Sequence, residues 1–483
     1  MSVSILYPKD CSTGNVGEKT LYHLSLDRAV GYITADVEKQ ACFLDVLSHP
    51  LQNEDDIAFR REILHDLVEN PTLAEELTSL FDRFCALRDS HRETERQARN
   101  ISLTRNQSLE SCRNVLESNA LDAKRALLFV KAIADVLAPL PLHAAGWQNL
   151  LSRAKSIADA PSFSELIRLC AAHESIGSWE SGAVRIGLSS EGKIVIAERL
   201  EAARIRDLAC QSIVTEKGFS LFKRPKPAEY PTATIQYRHD GLAEKLFSHS
   251  YKSLSDLFSH TADQLFTEFC HIRDELKFYT VALDYIAFLK SKKIPSAYLS
   301  TAPEITLTSA HDLLLLALLP EGTVRPIQIT TEDGRLIITG DNGSGKTVLL
   351  RTAGTAILLN QAGLPVAAEG QLPLIGNLYT QFSESEKPGI DRAGRFEQEA
   401  RDLSTILHST KPRDLLLLNE IFQSTAYQEA AQGLTPILHH LHRTNVLYLS
   451  VTHLPLSGVG KVVKMKKVRE GGEEAGRGCE NSY

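Results

Sequence analysis

Gly340-Asp341-Asn342-Gly343-Ser344-Gly345-Lys346-Thr347 is the stretch that decides the fold. It follows the apolar run Leu336-Ile337-Ile338 and precedes the helix-forming stretch Val348-Leu349-Leu350-Arg351. Strand, glycine loop and helix, in that order, is the context in which G-x-x-x-x-G-K-[ST] has a mechanism. The glycines let successive backbone N–H groups turn toward a polyphosphate, and the helix N-terminus adds its positive end. The whole octet is therefore expected to bind nucleotide. Lys346 would reach the β- and γ-phosphates, and Thr347 would ligate Mg²⁺.

The texture around the octet is α/β. Ile327–Thr330, a turn at Asp333-Gly334 and Arg335–Thr339 read as a hairpin leading into the glycine loop. Strands are expected at 374–382, 413–419 and 446–452. Helices are expected at 395–408 and 426–442, the latter kinked at Pro436. Leu415-Leu416-Leu417-Leu418-Asn419-Glu420 is a fully buried strand that ends in two polar side chains. Ligands of open α/β sheets bind at such strand ends. Glu420 is the candidate general base, polarising an attacking water. A metal-holding Asp normally precedes it, but here the residue is Asn419, which accepts from a metal-bound water yet supplies no charge. Slower turnover is a consequence to look for. His453, after Ser450-Val451-Thr452, is placed to sense a γ-phosphate.

Upstream, the chain is mostly helical. Phe43, Leu44, Val46 and Leu47 begin an apolar pattern, and Asn53 is a cap for a helix carrying Ile57, Ile63, Leu64 and Leu67. After Asn70-Pro71 another helix carries Leu73, Leu77, Leu80, Phe81 and Phe84. Residues 83–105 are charge-rich with few apolar anchors and read as a solvated connector, with an exposed helix as the alternative. Val184–Ile186 and Lys193–Ile196 flank a turn and read as a hairpin. Phe219 to Tyr237 reads as a basic, aromatic, proline-punctuated loop. Lys217 just before it and Lys223, Arg224 and Lys226 within it are candidate phosphate-backbone contacts, with an ordinary linker as the alternative. Leu265, Phe269, Ile272, Leu276, Tyr279, Leu283, Ile286 and Leu289 predict one helix over 261–290, about 37 Å from the first of these residues to the last, either an arm or a bundle helix.

Composition bounds the partners. The chain has 483 residues, enough for about three domains, with 43% hydrophobic and 23% charged residues. A net charge of −7 gives no global pull toward nucleic acid, so any DNA contact must be a local basic surface. The eight cysteines (Cys11, Cys42, Cys85, Cys112, Cys170, Cys210, Cys270 and Cys479) form no C-x-x-C pair, which argues against a zinc site or a disulfide framework. Neither a signal peptide nor a long apolar run is evident, so no membrane association and a cytoplasmic location (nuclear in a eukaryote) are expected.

The motifs together resemble the MutS family of mismatch-repair ATPases. The likeness runs through Ile337–Thr347, Gln361–Ala368, Gly394-Arg395-Phe396 with Glu399, Asn419-Glu420-Ile421 with Ser424-Thr425, and Thr452-His453. Residues 42–84 and 261–290 look like the start of the family's helical core and its returning lever. The resemblance implies ATP and Mg²⁺ as cofactors, with Thr347 and Asn419 at the metal and Glu420, Lys346 and His453 in catalysis. It implies DNA as partner, duplex, mismatched or branched. It also implies a homodimer, or a heterodimer with another MutS-like subunit. Ser383, Ser385, Gly394 and Arg395 resemble the segment that reaches a partner's nucleotide, and Ser424 and Thr425 resemble a second interface loop. The family's mismatch-reading and connector domains are not expected before residue 40. Its C-terminal dimerisation element and a nuclease-type domain are not expected after His453.

The expected architecture is multidomain, an all-α helical core and lever region followed by an α/β P-loop NTPase domain of the ABC/MutS type. It comprises an N-terminal segment 1–40, a helical core, lever and clamp-like domain 41–310 with small β elements, an ATPase domain 311–460, and a disordered tail 461–483 that is basic and then Gly-rich and acidic. The expected function is ATP binding and hydrolysis coupled to DNA-embracing helical arms, in repair or recombination. The alternatives are an ATP-binding switch or scaffold with little hydrolysis, and an ABC-like ATPase with a non-DNA partner.

Overall fold

The computed structural model describes residues 3–103, 109–173, 181–188, 194–199, 232–238, 241–383, 392–422, 427–454, 456, 461–465 and 480–481. The chain divides into two compact units. One comprises residues 1–4, 75–143 and 147–273, the other residues 5–74, 144–146 and 274–483. Boundaries near 40 and 310 are thus not where compact units divide, because residues 5–74 fold with the C-terminal sheet.

The first unit is helical, with a small sheet. Its aromatic centre stacks Phe84 on Phe129, ring centroids 3.7 Å apart, with Phe266 5.0 Å from Phe84. Of the two readings for this charge-rich stretch, the helix holds as far as residue 103, within the helix Pro71–Leu103. Apolar anchors are few there because part of the buried face is polar. His91 is fully buried, with Nδ1 3.0 Å from Asp122 Oδ2 and Nε2 3.3 Å from Ser259 Oγ. One helical turn on, Asn119 donates to Glu95 Oε1 (2.8 Å) and to Ser255 Oγ (2.9 Å). Each helix offers a pair at helical spacing (91/95, 119/122 and 255/259), so these side chains bond to one another across the helices.

The single helix expected over 261–290 is two helices, Gly241–Phe269 and Ile272–Ser291. The break falls at Cys270-His271, where Arg273 N–H turns back to Cys270 C=O at 3.2 Å. The apolar spacing from Phe269 to Ile272 to Leu276 passes across the break without interruption, so periodicity does not reveal it. Ser181–Leu188 pairs antiparallel with Ile194–Arg199, as the hairpin pattern predicts. Thr232–Arg238 adds a third strand on the other side of Ser181–Leu188, so the end of the expected 219–237 loop is a strand. Lys217, Lys223, Arg224 and Lys226 lie outside the described residues.

The second unit is built on a six-stranded sheet. Its order is Glu480–Asn481, Val462–Met465, Arg335–Gly340, Leu447–Val451, Leu415–Asn419, Leu378–Phe382. All pairings are parallel except that of Glu480–Asn481. The expected disordered tail therefore contributes strand Val462–Met465. Val463 and Met465 alternate to bury one face beside the glycine-loop strand, and the backbone supplies the pairing groups. Leu415 to Leu418 are fully buried, as a strand covered on both faces requires. Leu417 lies toward the helix Lys346–Gln361, where a Cβ on Gly354 would come within 2.9 Å of it. Leu416 and Leu418 face the other way, into a cluster with Leu434, Leu438 and Leu441 of the helix Tyr427–Arg443 and Leu403 of the helix Arg392–Ser409.

The expected hairpin before the glycine loop is not one. Ile327–Thr330 joins a separate four-stranded sheet beside Thr306–Ala310, whereas Arg335–Gly340 enters the six-stranded sheet. The turn itself exists. Asp333 and Gly334 have φ of +50° and +71°, which sends the chain from one sheet to the other.

The N-terminal residues are integral to this unit. Ile5 donates to Glu275 Oε2 (2.7 Å) and accepts from the Tyr279 hydroxyl (2.7 Å). The buried Arg60 donates from Nε to Leu6 C=O at 2.9 Å and lies 4.8 Å from the Tyr7 ring centre. Burial pushes its guanidinium below the ordinary value. Further along, His23 stacks on Phe382 at 4.8 Å, and Val16 bridges Leu378, so the edge strand Leu378–Phe382 is covered. Asn53 caps the helix Glu54–Glu69 by accepting from Asp55 N–H.

Asp312 and Arg351 tie the glycine-loop helix to the preceding segment through two hydrogen bonds of 2.7 and 2.8 Å, and Asp312 also caps the helix Leu313–Leu318. With Asp312 1% exposed, truncation strands a largely buried guanidinium. Asp312→Ala is expected to destabilise the fold by about 3 kcal/mol. Asp312→Asn, which keeps the capping oxygen, should cost less, and urea midpoints of the two variants test that order.

Candidate active site

Carboxyl ends of the parallel strands converge on the glycine loop. Gly340, where the first strand ends, has φ of +136°. A Cβ there would lie 2.1 Å from Met465 C=O, so the strand Val462–Met465 packs against bare backbone. Gly343 (+77°) and Gly345 (+94°) are also left-handed, which shapes the loop and leads into the helix Lys346–Gln361. Asp341, Asn342 and Gly343 form the exposed tip, while Ser344 and Lys346 point inward and are 2% and 5% exposed. Ser344 Oγ is buried and has no hydrogen-bond partner.

Lys346 Nζ is the centre of the site. It donates to Gly340 C=O (2.9 Å) and Asp341 C=O (3.1 Å), lies 3.2 Å from His453 Nε2, and is 3.5 Å from Glu420 Oε1. His453 Nε2 is in turn 3.1 Å from the same Glu420 oxygen. A deprotonated Nε2 accepts from the ammonium, and a protonated Nε2 donates to the carboxylate. Thr347 Oγ1 donates to Asn419 Oδ1 at 3.2 Å, placing a hydroxyl and an amide oxygen side by side. The expected constellation of Lys346, Thr347, Asn419, Glu420 and His453 is thus brought together from two strand ends and the glycine loop.

Backbone geometry explains how Glu420 reaches inward. Glu420 N–H continues the sheet to Val451 C=O at 2.9 Å, yet Glu420 has φ of +52° and Phe422 +64°. Two left-handed residues in three turn the chain sharply off the strand. The next strand is held in step by Thr452 N–H donating to Ile338 C=O (3.0 Å). Two contacts here are not legible in the sequence. The Tyr427 hydroxyl donates to His453 C=O at 2.5 Å, and Glu399 accepts from Phe422 N–H at 2.8 Å. Nothing in a residue's type announces a bond to a distant backbone group.

Of the expected interface residues, Ser383 donates its amide to Asn419 C=O (3.1 Å) and its hydroxyl to Glu399 Oε1 (3.3 Å). Gly394 and Arg395 lie on the helix Arg392–Ser409, while Ser385, Ser424 and Thr425 lie outside the described residues. Among the described residues, no helix is long and apolar enough to cross a membrane.

The parallel sheet, the glycine loop and the flanking helices define an α/β domain, and residues 336–468 match the family model for MutS domain V. "Endonuclease MutS2" of Streptococcus agalactiae is 28% identical over 179 residues, covering 36% of this chain and 23% of that protein. Proteins of the same name from Streptococcus pyogenes serotype M18 and Streptococcus uberis are each 30% identical over 123 residues, 25% of this chain and 16% of theirs. The chain thus spans under a quarter of the length of these curated relatives. Over these residues the chain is similar to MutS-family proteins.

Backbone proximity at Gly340 gives a graded test. Gly340→Ala is expected to destabilise by about 3 kcal/mol or more, because the new methyl collides with backbone at a left-handed position. Nothing lies within 4 Å of a Cβ at Gly343. Gly343→Ala should therefore cost only about 1 kcal/mol. Thermal melts of the two variants check the difference.

Proposed function

We propose that this protein binds ATP with Mg²⁺ at residues 340–347, hydrolyses it, and couples the nucleotide cycle to DNA contact in repair or recombination. The observation that carries this reading is Lys346. Its ammonium is held by loop carbonyls within 3.1 Å and faces the Glu420–His453 pair, beside a buried serine hydroxyl that lacks a partner. A buried polar atom without a partner in a loop of left-handed glycines fits a ligand rich in oxygen. Thr347 and Asn419 offer two neutral oxygens, the donor type Mg²⁺ takes. When bound, the metal would neutralise charge on the β- and γ-phosphates.

Each side chain has a definite task in this reading. Lys346 exchanges its loop carbonyls for phosphate oxygens and offsets their charge. Glu420 accepts a proton from the attacking water and orients it for in-line displacement. His453, already within hydrogen-bond reach of both, registers the γ-phosphate. The inward-turned carboxylate beside Lys346 favours hydrolysis over passive binding, whereas the neutral Asn419 favours the second reading, an ATP-gated switch with little turnover. Dimerisation through Ser383, Ser385, Gly394, Arg395, Ser424 and Thr425, and DNA contact at Lys217, Lys223, Arg224 and Lys226, belong to the same proposal. The match of residues 336–468 to MutS domain V and the relatives' printed name, an endonuclease, support nucleic acid as the partner.

Phosphate release decides between enzyme and switch. Glu420→Gln is expected to lower kcat by about 10²–10⁴-fold with ATP affinity retained, and Lys346→Ala to remove ATP binding. Tight ATP binding by the wild type without Mg²⁺-dependent release would establish the switch. For DNA, retention should weaken as salt rises. Reversing the charge of Lys223 and Arg224 should reduce the salt slope by about one per lost contact. Equal, salt-independent retention of all variants removes DNA from the proposal.

A further inference from the structure

The helix Arg392–Ser409 grips the turn after Glu420 at two points. Phe396, Ala400, Leu403 and Leu407 form its apolar stripe, and Phe396 meets the Phe422 ring with centroids 5.2 Å apart. Glu399 sits beside that stripe, one turn after Phe396. Its neighbours Glu397 and Gln398 are exposed, whereas Glu399 is half-buried and both of its oxygens are engaged. Oε2 accepts from Phe422 N–H at 2.8 Å, and Oε1 accepts from Ser383 Oγ at 3.3 Å. Ser383 N–H in turn donates to Asn419 C=O at 3.1 Å. One carboxylate therefore joins the ends of two neighbouring strands to the segment that carries Glu420.

That segment has reason to relax. Glu420 and Phe422 are both left-handed, with φ of +52° and +64°, and neither is glycine. Such conformations persist only where the surroundings over-determine them. A hydrogen bond from a backbone N–H to a charged carboxylate is among the stronger available bonds, and Glu399 makes it at the far end of the turn. The near end is held by the sheet, through Glu420 N–H to Val451 C=O at 2.9 Å. Between these two anchors the Glu420 side chain is aimed at Lys346 and His453.

We infer that Glu399 is a positioning residue for hydrolysis, holding the left-handed turn through Phe422 N–H so that the Glu420 carboxylate stays on the Lys346 side of the sheet. This rests on the proposed role of Glu420 as general base. Glu399 itself touches neither nucleotide nor water in this scheme. Its loss should therefore be felt in turnover and not in binding.

The test measures hydrolysis, affinity for a fluorescent ATP analogue, and thermal melting on the full chain. Glu399→Ala is expected to lower kcat by about 10–100-fold, the scale of an ångström-sized misplacement, with affinity changed less than about threefold. Glu399→Gln keeps an acceptor oxygen for Phe422 N–H and should recover most of the turnover. A purely architectural residue would instead shift affinity and melting temperature together with kcat, and that result overturns the inference. So does unchanged kcat in folded Glu399→Ala, or Glu399→Gln as impaired as Glu399→Ala. If Glu399→Ala does not fold, Glu399→Asp decides, since it keeps the charge but withdraws the carboxylate by about 1.5 Å. The same turnover loss in Glu399→Asp supports the inference, and wild-type kcat sinks it. A wild type that binds ATP without any turnover defeats the hydrolytic reading itself, and the role of Glu399 with it. Wild-type turnover with an unimpaired Glu399→Ala defeats only the role of Glu399.

Discussion

A lysine ammonium buried at the end of a parallel sheet must be met by oxygen, and the second unit is organised around that requirement. Lys346 is 5% exposed, and desolvating its charge is tolerable only because two loop carbonyls and a carboxylate converge on it. The carbonyls are available because Gly340 lacks a Cβ, which lets the strand Val462–Met465 lie against the first strand without displacing the loop. The carboxylate is available because the chain leaves the strand Leu415–Asn419 by a left-handed turn. Sheet packing and site chemistry are consequently the same constraint seen from two sides.

Strain is concentrated in the turn after Asn419, and packing holds it. Phe422 is 4% exposed within the cluster of Leu434, Leu438 and Leu441, so its ring is fixed by the helix Tyr427–Arg443 while its N–H is fixed from the helix Arg392–Ser409. Tyr427, at the start of the first of these helices, also donates to His453 C=O. Motion of either helix would therefore reach His453 directly, or Glu420 through a hydrogen bond two residues away. Such short links are the physical means by which an event outside the site could alter its chemistry.

How much of this was legible depended on whether information was local. The glycine octet, the leucine strand and the two polar residues after it carry their meaning in adjacent positions, and the structure brings Lys346, Thr347, Asn419, Glu420 and His453 within contact as that spacing implies. Features built from distant backbone were not legible. The tail strand pairs with residues over a hundred positions earlier and reads locally only as a short basic run. The break at Cys270-His271 keeps the apolar period intact. Residues 83–103 looked unanchored because anchoring by His91, Asn119 and Asp122 is polar, and hydrophobic periodicity is blind to it. The turn at Asp333-Gly334 was recognised, but the sheets on either side of it differ, a choice made by tertiary pairing alone.

Asn419 sets the charge balance of the proposed site. Asp in its place would put a second carboxylate next to Glu420, with Lys346 the one buried cation described nearby. A dense triphosphate would then meet net negative protein charge unless a metal came with it. With Asn419, the Lys346–Glu420 pair is balanced, and the amide oxygen lies 3.2 Å from Thr347 Oγ1 as a neutral donor. On the proposed function, the neutral amide weakens the hold on Mg²⁺ and at the same time removes a repulsion against the bare nucleotide. On that proposal the two effects would separate ATP binding from metal-assisted turnover more sharply than a carboxylate would.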